Sequence, residues 1–174
     1  IKVTSEVAPH HFTLTDDSLA EYDTNFKMNP PLRTKTDVEA MIVGLKDGTI
    51  DCIASDHAPH SPEEKEMEFE YAPNGILGLE TTLGLTLNNL YHTGILTMEQ
   101  IVEKLSINPR NILNIPLPRI AEGEKANLSI FDPNAEYTVK VSSFRSKSKN
   151  SPFDGHTLKG KPVAVFNKGK MVLS

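Results

Sequence analysis

Ile50-Asp51-Cys52-Ile53-Ala54-Ser55-Asp56-His57-Ala58-Pro59-His60 is the stretch on which the fold turns. A mostly apolar run ends in a small polar residue, and an aspartate and two histidines broken by Pro59 follow. A short run of this kind reads as a buried strand of a parallel sheet, where both faces are covered. Asp56 then falls at or just past the strand's C-terminal end. That rim is where barrels and open α/β sheets carry their chemistry. An aspartate with two histidines there can hold a divalent metal or move protons. The plain alternative for Asp56 is a cap on the segment that follows.

Working back from Ile50, the sequence predicts a helix. Thr36-Asp37-Val38-Glu39 reads as a capping box, and Val38, Met41, Ile42 and Leu45 recur at helical spacing before a stop at Gly48. The two prolines of Asn25-Phe26-Lys27-Met28-Asn29-Pro30-Pro31-Leu32-Arg33 predict an extended loop. A short helix is expected near Thr15, with Asp16 and Asp17 at its positive end. Ile1 to Val7 alternates and reads as a strand, followed by His10-His11. Strand, loop, helix, strand is the rhythm of a parallel sheet.

Working forward, Ser61 to Tyr71 carries five glutamates and one lysine. It reads as a long charged loop, most simply a solvated face. Pro73-Asn74-Gly75 is a turn signal. A helix is expected from about Ile76 through Tyr91, closed near Gly94. Thr97-Met98-Glu99-Gln100 is a second capping box, with Ile101, Val102 and Leu105 as its buried face. Asn108-Pro109 is expected to start another short helix. Beyond Leu117 the chain turns to β: strands over Asn127 to Phe131, Tyr137 to Val141 and Val163 to Phe166, and a hairpin turned by Lys168-Gly169 into Met171-Val172-Leu173.

Composition narrows the function. The net charge of −5 argues against a nucleic-acid surface. Arg145-Ser146-Lys147-Ser148-Lys149 reads as a solvated loop. Cys52 is the single cysteine and sits in the apolar run, so it reads as a small core residue in a protein of the reducing cytoplasm. No run has the length of a membrane span or the form of a signal peptide. The opening at Ile1 without a methionine suggests the middle of a longer protein.

Three blocks, spaced in order, resemble one family: Phe26-Lys27-Met28-Asn29-Pro30-Pro31-Leu32-Arg33, Ser55-Asp56-His57-Ala58-Pro59-His60, and Pro73-Asn74-Gly75-Ile76-Leu77-Gly78-Leu79-Glu80-Thr81. They look like signatures of dihydroorotase, in the hydantoinase-like class of the amidohydrolase superfamily. Asn150-Ser151-Pro152-Phe153 with Gly155 and the final hairpin resemble that family's tail. Asn29 and His60 tilt the resemblance away from allantoinases and hydantoinases.

The resemblance implies a (β/α)₈ barrel with a small β-sandwich built from both chain ends. On that template residues 1–117 are the C-terminal part of the barrel, strands seven and eight with their helices, and 118–174 are sandwich strands and tail. A whole barrel takes roughly 250 residues. It further implies zinc-dependent cyclisation of N-carbamoyl-L-aspartate to L-dihydroorotate, with a small-molecule substrate. Asp56 would be a zinc ligand and the base that takes a proton from the attacking water and returns it to the leaving nitrogen. His60 would bind the substrate carboxylate. Asn29 would meet the ring amide, as would the backbone of Asn74 and Gly75; the family often has Phe or Pro at position 74.

The other zinc ligands, among them a His-x-His pair, would lie upstream. His57 is expected to orient its loop or Asp56, and His10 and His11 to be structural. A quarter barrel has open edges, so a complementary upstream fragment or a homo-oligomer is expected, and the isolated piece should be inactive. The alternatives are a related cyclic amidohydrolase and a non-catalytic dihydroorotase-like subunit that scaffolds aspartate transcarbamoylase.

Overall fold

The computed structural model describes residue 1 and residues 3–173. Two sheets are present among them: a parallel pair, and an antiparallel sheet of three strands. The parallel pair joins β1 (Glu6–Val7) to β2 (Cys52–Ile53), with Glu6 opposite Cys52 and Val7 opposite Ile53. The helix α1 (Lys35–Asp47) makes the crossover. This is the βαβ unit that the pattern around Ile50 predicts.

β1 is shorter than the strand expected over Ile1 to Val7, of which Lys2 lies outside the described residues. The cause is local: the Ser5 amide donates to the Asp51 carboxylate at 2.9 Å, and its hydroxyl to the Thr49 carbonyl at 2.8 Å. Those groups point into a loop and not along a ladder.

α1 starts two residues earlier than Thr36 suggests. Thr34 is the cap: its hydroxyl accepts from the Asp37 amide, and the Asp37 carboxylate accepts from the Thr34 amide at 3.1 Å. Val38 and Leu45 are buried, Met41 and Ile42 pack against the same core, and Gly48 closes the helix at φ 89°. Positive φ there is what favours glycine. The segment after Thr15 forms a single 3₁₀ turn, Asp16–Leu19.

The charged loop is partly helical. Pro62–Lys65 forms α2, capped by Ser61 and Glu64. The helix expected from Ile76 begins only at α3 (Thr82–Thr86) and runs on as a π-helical turn, Leu87–Tyr91. Ile76 and Leu77 are spent otherwise, the Ile76 carbonyl on the Ala58 amide and the Leu77 amide on the Asn150 carbonyl. Thr97 caps α4 (Met98–Val102) as expected; a π-helical turn, Glu103–Ile107, joins it to α5 (Asn108–Ile112). Ile101 is buried, but Val102 is 42 % exposed and does not belong to the buried face.

The tail is the sheet β3 (Leu128–Thr138), β4 (Thr157–Asn167) and β5 (Lys170–Leu173), in that order. Two strands expected over Asn127 to Phe131 and Tyr137 to Val141 are one strand with a bulge. Asp132 takes the amides of Asn134 and Ala135 around Pro133, and the register shifts there. Val139 and Val141 lie past its end, buried.

Two apolar clusters hold these parts together. One gathers Val7, Phe12, Leu45, Ile53, Leu87 and Leu90 under the parallel pair, with Leu96 and Ile101. The other joins Met28, Leu32 and Ile76 to Val139, Phe153 and Leu158, so the loop residues beside Asn29 and Gly75 share a core with the β tail. Gly160 brings β4 onto the Leu87 turn: at φ 104°, a Cβ built there would sit 2.3 Å from Leu87 Cδ1. Gly160→Ala should therefore lower stability by about 2–4 kcal/mol, combining overpacking with left-handed strain. Gly169→Ala, with φ 74° but open space around it, should cost only about 1 kcal/mol. Urea midpoints that shift equally would refute the Leu87 contact.

Candidate active site

The site is assembled at the C-terminal ends of β1 and β2. The Ala54 amide donates to the Val7 carbonyl at 3.1 Å, and beyond it both strands leave the sheet. β1 feeds a 3₁₀ turn, Pro9–Phe12, which buries both histidines. β2 feeds Ser55 and then Asp56, which stands at φ 46°, in the left-handed region that few residues other than Gly, Asn and Asp adopt. Its side chain is about half exposed, at 53 %, and among the described residues its carboxylate accepts no hydrogen bond.

His10 Nε2 is 3.9 Å from Asp56 Oδ2. Burial, then the neighbouring His11, lower the His10 pKa to about 3. His10 is thus uncharged near neutrality, and the approach is no ion pair. Its Nε2 is buried and has no hydrogen-bond partner. His11 Nε2 donates to the Pro30 carbonyl at 2.8 Å and so braces the loop that carries Asn29. Both histidines therefore sit where a structural role puts them.

Past Asp56 the chain pairs with the third motif block. His57 lies opposite Ile76 in a parallel bridge. His57 Nδ1 accepts from the amides of Gly78 at 3.1 Å and Leu79 at 3.4 Å. Those donors fix the tautomer with the proton on Nε2. Gly78 is glycine of necessity, since a Cβ would fall 2.0 Å from the Ser55 carbonyl oxygen. His57 orients the loop, as the sequence predicts.

His60, Asn74 and Gly75 are brought together. His60 Nε2 donates to the Asn74 carbonyl at 3.0 Å, and Nδ1 lies 3.5 Å from a Glu64 carboxylate oxygen. Gly75, at φ 109°, gives its amide to the Lys27 carbonyl at 2.8 Å, which ties the turn to the loop of Asn29. Asn29 itself is exposed above the buried Met28. Asp56 shares no hydrogen bond with these four residues; it is held near them by the backbone of 56–60.

Three positioning residues escaped the motif reading. Lys27 Nζ donates to the carbonyls of Phe69, Glu70 and Ala72 at 2.6–2.9 Å. Lys65, buried, donates to those of Pro73 and Gly75 at 3.0 and 3.2 Å. Burial, and then Lys27, push the Lys65 pKa down. Asn150 reaches in from the tail to Ala58, His60 and Gly75. Nothing in a glutamate-rich run distinguishes one lysine that turns inward.

Among the described residues no three of His, Cys, Asp and Glu stand together as a metal-holding group. No helix among them is long and apolar enough to cross a membrane.

A carboxylate on the rim of a parallel pair, beside a histidine loop and a glycine turn, is the arrangement of cyclic-amide hydrolases, and the chain belongs to the amidohydrolase family, whose pattern matches residues 4–172. It is 52% identical over 170 residues to a dihydroorotase of Clostridioides difficile (strain 630) and 47% identical over 172 residues to one of Syntrophus aciditrophicus (strain SB). Those matches cover 98% and 99% of this chain, which spans 40% of the length of each relative. Among solved structures, an L-hydantoinase (dihydropyrimidinase) from Arthrobacter aurescens superposes with a TM-score of 0.91 at 33% identity, over 99% of this chain and 39% of that one. The fold is thus the C-terminal part of an amidohydrolase barrel with its β tail.

Lys65→Met keeps the apolar stem and removes the donors to Pro73 and Gly75. It should destabilise the protein by about 1–3 kcal/mol and speed limited proteolysis between residues 66 and 74. Unchanged cleavage there would mean that Lys65 does not hold the turn.

Proposed function

We propose that the protein carrying this chain is a dihydroorotase, which reversibly closes N-carbamoyl-L-aspartate to L-dihydroorotate with loss of water. The observation that carries this is Asp56: an exposed carboxylate with no hydrogen-bond donor, at the strand end and next to His60. The dihydroorotase relatives support the substrate assignment. We place residues 1–117 in the barrel and 118–174 in the sandwich.

In the hydrolytic direction Asp56 takes a proton from the attacking water as oxygen bonds to the ring carbonyl. It delivers that proton to the ring nitrogen as the C–N bond breaks. The His60 ring N–H meets the substrate carboxylate; the exposed Nδ1 side, at 3.5 Å from Glu64, is the looser of its two contacts. Gly75 has already given its amide to Lys27, and its carbonyl takes Lys65 and Asn150. The Asn74 N–H and the second lone pair of its carbonyl are therefore the backbone groups left for the ring. The Asn29 amide, able to donate and accept at once, faces the same ring.

Asp56 fits a zinc centre as one ligand, because its oxygens are unbonded and on the rim. One carboxylate does not make a tight site, so the remaining ligands belong to upstream polypeptide. Zinc, when bound, lowers the pKa of water and polarises a carbonyl. Upstream polypeptide also accounts for the apolar groove of about 640 Å³ lined by Leu105, Leu117, Ile120 and Phe131. The buried free thiol of Cys52, its pKa raised chiefly by burial, supports a reducing cytoplasm.

The full-length protein should turn over dihydroorotate at least about 100-fold faster, in kcat/KM, than hydantoin or allantoin. Asp56→Ala should lower kcat by a factor of about 100 or more, and His60→Ala should act mainly on KM. Preference for hydantoin in parallel assays would transfer the protein to the hydantoinases. The isolated chain should hold zinc well below stoichiometry; one tightly bound zinc per chain would contradict a ligand set shared with upstream polypeptide.

A further inference from the structure

We infer that Asn150, a tail residue ninety positions from His60 in sequence, is a positioning residue that sets the spacing of the two substrate loops; this rests on the dihydroorotase reading. Its side chain is buried, and every polar atom of it is used. Oδ1 accepts the His60 backbone amide at 3.1 Å, and Nδ2 donates to the carbonyls of Ala58 at 2.9 Å and Gly75 at 3.2 Å. The Asn150 carbonyl also accepts the Leu77 amide at 2.9 Å. One planar amide thus spans the histidine loop and the glycine turn, with a backbone bond beyond each.

The chemistry selects asparagine. The partners on one side are carbonyls and need donors; the partner on the other is an N–H and needs an acceptor. Aspartate has the shape but offers its lone pairs to two carbonyls. Alanine leaves an amide and two carbonyls short of partners in a buried place.

The arm that delivers Asn150 is itself fixed. Lys149 Nζ donates to the carbonyls of Phe144 and Ser146, the Glu80 carboxylate accepts the amides of Arg145 and Ser146, and Phe153 is fully buried just beyond. The basic run is a folded brace and not a solvated loop. The C-terminal tail therefore shapes the substrate pocket without touching substrate.

The test uses the full-length protein with Asn150→Ala and the isosteric Asn150→Asp, each alone and with His60→Ala. Both single variants should raise KM for dihydroorotate by about tenfold while kcat stays within about threefold. In the His60→Ala background the same changes should add less than about threefold, because the two act through one loop. Zinc content should not move. Hydrogen exchange should quicken in peptides over 57–61 and 73–78 and stay unchanged over 98–112. KM within twofold of wild type, effects that multiply independently of His60, or global loss of exchange protection in both variants would overturn the inference. Wild-type protein inert on dihydroorotate would instead refute the functional reading, and the exchange comparison alone would then decide the role of Asn150.

Discussion

Val7 and Ile53 lie opposite one another in a parallel pair, closed by the bond from the Ala54 amide to the Val7 carbonyl. Everything at the site is measured from that bond. Where the pair stops, one strand turns its two histidines inward under an apolar cluster, and the other lifts Asp56 into left-handed backbone with its carboxylate free. The uncharged His10 packed beneath it leaves Asp56 without a cation to neutralise it. A carboxylate kept ionised and unbonded at a strand end is suited to taking a proton or a metal ion.

The loops around this point have little regular structure, yet their backbone polar groups are satisfied. The solution is to cap carbonyls with long or amide side chains from elsewhere. Lys27 and Lys65 bind five carbonyls of residues 69–75 between them, and Asn150 ties Ala58 to Gly75. Burying a lysine costs desolvation, seen in the lowered pKa of Lys65, and the cost is met by directed hydrogen bonds. Beneath them the second apolar cluster joins Met28 and Ile76 to Val139 and Phe153. The pocket is thereby built jointly by barrel loops and tail.

Much of this could be read from residues alone. The βαβ rhythm, the Gly48 stop, the Thr97 cap and the position of Asp56 follow from local rules: periodicity, capping chemistry and the burial of parallel strands. What escaped has a common cause. Lys65 in a glutamate-rich run, Asn150 beside a basic run and Val102 on an apolar stripe take their environments from distant segments. The late start of α3 follows from Ile76 and Leu77 bonding to Ala58 and Asn150, a tertiary effect that overrides helical patterning. The cap at Thr34 in place of Thr36 shows the opposite limit: two threonines offered the same chemistry, and Asp37 at the third helical position decided between them.

The pocket roles of Asn29, His60 and Asn74 all presuppose that Asp56 faces a metal completed by upstream polypeptide. Zinc-edge anomalous diffraction from crystals of the full-length protein tests this most directly. The account predicts an anomalous peak within about 2.0–2.2 Å of an Asp56 carboxylate oxygen, on the side of the loop that also carries His60. Zinc bound elsewhere, with Asp56 turned to solvent or capping the chain, would contradict it.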